Sequence, residues 1–102
     1  MRYLVEATLT PERGKEVEAA GGPGPAIGYL LDRFHPEVAY VGLTRRAAFL
    51  VVDLQRPEDM AELTVYLTTF AGNHPTYTTV LPVSEAAALG TAIDNALKAP
   101  IV

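Results

Sequence analysis

A chain of 102 residues, 49% apolar and 20% charged, is a single globular domain and too apolar to be disordered. Its net charge of −4, with only 8 Lys and Arg, argues against a nucleic-acid partner, since a phosphate backbone is bound through clustered cations. The absence of cysteine excludes disulfides, thiolate catalysis and zinc–sulfur sites and fits a reducing cytoplasm, and no apolar run approaches the ~20 residues that cross a bilayer, so no membrane partner is expected.

The first segment, RYLVEATL (2–9), alternates and is rich in strand formers. Thr10-Pro11 stops it, and no long apolar core of a signal peptide is visible in the N-terminal stretch. Residues 12–20 read as a short helical piece. The run Gly21-Gly22-Pro23-Gly24-Pro25 then interrupts the chain. It fits neither phosphate-binding pattern: after Gly28 stand Tyr29 and Leu30 where a Walker loop needs Lys and a hydroxyl, and Ile27 stands where the dinucleotide fingerprint needs glycine. Pro23 and Pro25 also delete two of the backbone N–H groups on which a phosphate cradle depends. The run is expected to break the crossover and start a new helix at Pro25 or Ala26, with a role in shaping a pocket mouth as the functional reading.

From Pro25 onward Ile27, Leu30, Leu31 and Phe34 fall on one helical face, and His35-Pro36 ends it. EVAYVGL (37–43) and AAFLVVDL (47–54) predict two strands joined as a hairpin through Thr44-Arg45-Arg46, a turn with no glycine of its own. Arg45–Arg46, the sole basic pair, is expected to be solvated. Pro57, Glu58 and Asp59 suit a helix start, Met60, Leu63, Leu67 and Phe70 form its buried stripe, and Gly72 suits its C-terminal cap. TYTTVLPV (76–83) predicts a strand whose Pro82 favours an edge position. Ser84 is expected to cap a helix to about Lys98, with Leu89, Ile93 and Leu97 at spacing four.

The order predicts an α+β, ferredoxin-like β-α-β-β-α-β arrangement with a C-terminal helix. Right-handed crossovers give an antiparallel sheet of order 4-1-3-2 with the main helices on one face. The other face is too apolar to stay wet: residues 47–54 carry Leu50, Val52 and Leu54 on one side and Phe49 and Val51 on the other. A second copy of the same sheet is the least costly cover.

The stretch AAFLVVDLQRPEDMAELTVYLTTFAGNHPTYTTVLPV (47–83) has a strand ending near an acidic residue, a helix, a loop with proline and a strand ending in Pro-Val. In this it resembles the small muconolactone-isomerase-like and YCII-like members of the dimeric α/β-barrel superfamily, whose ferredoxin-like subunits pack sheet against sheet. Outside residues 47–83 the resemblance is one of element order. It implies a fold, a homodimer and a pocket, not a reaction.

The two histidines, His35 and His74, open strands that run in opposite directions, about 20 Å apart for six-residue strands. No metal, haem or other cofactor is therefore expected. On strand one, Tyr3, Val5, Ala7 and Leu9 should meet the helices, leaving Leu4, Glu6 and Thr8 on the helix-free face. Val38 and Tyr40, then Phe49, Val51 and Asp53, join them there; the strand at 76–83 is ambiguous. A carboxylate enclosed on that face is a base for proton transfer beside a carbonyl. The expected catalytic set is Glu6 as base, with Tyr40, Asp53 or His74 polarising or orienting; the ordinary alternative is a Glu6 paired with arginine or wet at the rim. Ser84, the only serine, has no acid or histidine beside it and reads as a cap. The expected function is a homodimer that holds a small, partly apolar organic molecule between sheet and helices. It acts either as a cofactor-free isomerase or as a non-catalytic binding or structural subunit.

Overall fold

Two seven-residue strands, β1 (Arg2–Thr8) and β3 (Ala47–Asp53), form the centre of the sheet, and their alternation decides which side the helices take. Val5, Ala7, Leu50 and Val52 are buried on one side. Against them pack Leu30 and Phe34 of α2 (Gly24–Phe34) and Leu63 and Leu67 of α3 (Pro57–Ala71). The remaining elements are α1 (Pro11–Ala19), β2 (Val38–Val41), β4 (Thr76–Thr79), a 3-10 turn over Val83–Ala88 and α4 (Leu89–Lys98). The computed structural model describes residues 1–101. The chain is α+β, with an antiparallel four-stranded sheet in the order β2-β3-β1-β4, an arrangement compatible with a ferredoxin-like fold. No helix among the described residues is long and apolar enough to cross a membrane.

The glycine–proline run has a mechanical explanation. The N–H of Gly22 donates to the Val17 carbonyl at 2.8 Å and that of Gly21 to Glu18 at 3.1 Å, the paired bonds of a Schellman motif that ends α1. Gly21 and Gly22 have φ of 108° and 100°, which a side chain would resist. Their donors are thus occupied by the helix itself, and α2 starts at Gly24, one residue before the expected Pro25, which stands in its first turn. The other end of α1 is tied to α3. Thr10 Oγ1 caps α1 by accepting from the N–H of Arg13, and the N–H of Thr10 donates to the Ala71 carbonyl at 2.9 Å.

Several expectations are corrected. The hairpin does have its glycine: a Cβ at Gly42 would lie 2.5 Å from the Arg45 carbonyl, and the N–H of Gly42 bonds the Ala47 carbonyl at 2.7 Å to close the loop. β4 stops at Thr79 rather than running to Val83, so Pro82 lies outside it, although β4 is an edge strand. Tyr77 pairs with Val5 and Thr76 with Glu6, which puts Tyr77 on the helix side and Thr76 on the open side. Ser84 caps nothing: it lies inside the 3-10 turn, and α4 starts at Leu89 without a side-chain cap. The alanine-rich stretch offers too few apolar atoms to bind this segment to the core, and no α4 residue is buried. Its one substantial neighbour is the turn before it, and the molecule is drawn out to 56 × 29 × 28 Å.

Candidate functional site

A cavity of about 350 Å³ lies between α1, α2 and the sheet. That volume is at the lower end of the range for small-molecule sites, roughly 300–1,000 Å³. It exists because small residues converge from four elements: Ala7 on β1, Gly14 on α1, Ala26 on α2 and Ala48 on β3. Val17, Leu30 and Leu67 complete its apolar wall, and Pro23 of the glycine–proline run borders it. A second cavity of about 240 Å³ shares Ile27, Leu30, Val41 and Ala48 with the first and extends under α2 toward the β2 edge. The underside of α2 is therefore only partly filled by side chains.

Beyond the buried Leu30 and Phe34, α2 is tied to α3 along its outer flank. The Tyr29 hydroxyl donates to Glu62 at 2.9 Å, and Arg33 reaches both Asp59 and Glu62 at 3.1 Å. Tyr29 and Tyr66 lie with ring centroids 4.3 Å apart, and Tyr66 stacks in turn with Phe70. The hydrogen bond from Tyr29, then that from Arg33, holds the Glu62 carboxyl below its ordinary pKa. Arg56 and then Arg33 do the same for Asp59.

Only two lining residues of the larger cavity carry charge, Glu18 and Arg46, and they pair with each other at its mouth. The arginine pair is thus not merely solvated, as the sequence had led us to expect. The two side chains part to opposite faces of the sheet. Arg46 goes to the cavity side, and Arg45 lies over the Phe49 ring, 5.5 Å from its centroid, on the helix-free side.

The residues expected to be catalytic are dispersed. Register places Thr76, Glu6, Phe49 and Tyr40 in one row across the four strands of the helix-free face. Glu6 and Tyr40 are two strands apart, about 10 Å, with the Phe49 ring between them. Asp53 is on the same face but four residues along β3 from Phe49, roughly 13 Å away. It pairs across the strands with Arg2 and receives the Met1 ammonium at 3.2 Å. His74 belongs elsewhere: its Nδ1 is 3.2 Å from Thr68 Oγ1 on α3. Of the four, only Tyr40 borders either cavity. Among the described residues no cluster of three His, Asp or Glu side chains is placed to hold a metal ion. Sequence reasoning missed Glu18, Arg46 and Gly14. The signal was available in the unusual number of Ala and Gly residues at inward-facing positions.

Compared with known proteins, the chain matches no family model, no curated protein and no solved structure.

Proposed function

We propose that this chain is a small-molecule-binding subunit and that its ligand is a compact, mainly apolar organic molecule seated beneath α2. The observation that carries this reading is the 350 Å³ cavity, whose wall is apolar except for Glu18 and Arg46. Titration calorimetry with 1-octanol tests it. Binding by the native chain, and its loss in Ala26→Leu with the melting temperature retained, supports the site. Equal binding by Ala26→Leu places the ligand elsewhere and overturns it.

The binding subunit is a homodimer in the manner of the dimeric α/β-barrel proteins that residues 47–83 resemble. Leu4, Phe49, Val51 and Val38 form an apolar band on the helix-free face, and Tyr40 beside them is 67% exposed. Two seven-residue and two four-residue strands, about 4.8 Å apart, project roughly 350 Å². A standard stable interface takes about 800 Å² per partner. The outstanding stripe of α4, Leu89, Ile93 and Leu97, supplies further apolar surface of the kind needed to close that gap. Solution mass at micromolar concentration tests the assembly; a strict monomer overturns it.

A second reading rests on the row Glu6–Phe49–Tyr40. Covered by a twin sheet, Glu6 would act as a base in cofactor-free, isomerase-like proton transfer, with Tyr40 as the polarising group. Turnover by the native chain on a panel of lactones and aromatic acids, lost in Glu6→Gln with affinity kept, supports this reading. Absence of turnover on every compound leaves the binding subunit.

A further inference from the structure

We infer that the molecule held beneath α2 carries a carboxylate, and that Arg46 is the residue that binds it. The inference rests on the cavity reading above and specifies its ligand class. The two charges at the mouth are not equivalent. Arg46 is the more enclosed one, and its backbone is fixed. Its carbonyl accepts from the Leu9 N–H at 2.9 Å, which anchors the end of the hairpin to the end of β1. Its side chain lies across Gly14, a buried residue, in the space that a Cβ there would take. Glu18 is the exchangeable one. Its side chain is 62% exposed against 45% for Arg46. It also stands in the last turn of α1, where no basic residue offsets the negative end of the helix dipole.

An exposed ion pair of this kind contributes little to stability, so replacing Glu18 by another carboxylate costs little. A ligand carboxylate can engage the planar guanidinium through two parallel hydrogen bonds. Its apolar body then fills the space lined by Ala26, Leu30 and Leu67. An amine is disfavoured, because to reach Glu18 it must displace Arg46, the less exposed of the two charges, which repels it. A neutral polar molecule finds few side-chain partners inside.

Titration calorimetry at low ionic strength with three probes of equal chain length, octanoate, 1-octanol and octylamine, tests the inference. Octanoate is expected to bind about tenfold more tightly than 1-octanol, the gain of one good charged contact. Arg46→Gln should abolish that difference by lowering octanoate binding to the level of 1-octanol. Glu18→Gln should tighten octanoate several-fold by removing the competing carboxylate. Equal binding of octanoate and 1-octanol, or stronger binding of octylamine, overturns the carboxylate inference and leaves the cavity reading standing. Failure of all three probes to bind both the native chain and Glu18→Gln overturns both.

Discussion

Arg46 occupies the space that a side chain at Gly14 would need. A Cβ built at Gly14 would lie 2.5 Å from Arg46 Nη1 and 2.6 Å from its Cδ. The obstructing atoms belong to the outer part of a flexible side chain, so Gly14→Ala should be tolerated by displacing Arg46. The helix gains up to about 1 kcal/mol from the substitution, which offsets the lost contact. Thermal unfolding should therefore show a melting temperature within a few degrees of the parent. The pairing with Glu18 should be lost, detectable as a changed Arg46 side-chain resonance by NMR.

Gly72→Ala should behave differently. Gly72 has φ of 77°, and its N–H closes α3 on the Thr68 carbonyl. A Cβ there would also lie 2.8 Å from Arg13 Cγ and 3.0 Å from Thr10 Oγ1. The left-handed conformation alone costs about 1–2 kcal/mol for a residue with a side chain. A fall in melting temperature of about 5–10 °C is expected by calorimetry.

The helices differ in what they contribute. Leu63 is 0% exposed, and Leu63→Ala should cost about 2–5 kcal/mol in denaturant unfolding. Leu97 is 79% exposed, and Leu97→Ala should change the stability of an isolated chain by no more than about 0.5 kcal/mol. If α4 completes a two-chain interface, Ile93→Ser combined with Leu97→Ser should weaken self-association at least tenfold, measured by sedimentation equilibrium; an unchanged dissociation constant removes α4 from the interface.

Acid should loosen the outer flank of α2. Asp59 and Glu62 are held below their ordinary pKa by Arg56, Tyr29 and Arg33. Groups depressed in the folded state contribute stability above the unfolded carboxylate pKa, about 4, and lose it as pH falls through their lower folded values. Melting temperature should therefore decline below about pH 4 with a component that Arg33→Gln removes. Both sites are near the surface, and the effect should shrink as salt is added.

The strand faces were legible because the alternation in residues 2–8 and 47–53 leaves little freedom: Val5, Ala7, Leu50 and Val52 can be buried together only one way. On α3, whose Met60 and Phe70 are only half-buried and whose third buried position is Ala71, Leu63 and Leu67 were legible for the same reason at helical spacing. β4 was not, since strand propensity through Val80 and Leu81 does not reveal where the neighbouring strand ends. The C-terminal helix was readable in type but not in start, because Glu85-Ala86-Ala87-Ala88 contains no stop or cap that fixes a boundary. The cavity was the least accessible feature. It is made by missing side-chain volume at Ala7, Gly14, Ala26 and Ala48, which are brought together only by the folded chain.

The aromatic seam on the outside of α2 has an optical consequence. The chain has five tyrosines and no tryptophan, so its ultraviolet emission is dominated by tyrosine. Tyr29 and Tyr66 stand ring against ring at the junction of α2 with α3, and Tyr29 also donates to a carboxylate. Any molecule that wedges α2 outward must part those rings, giving the protein a native fluorophore on the flank of its own cavity.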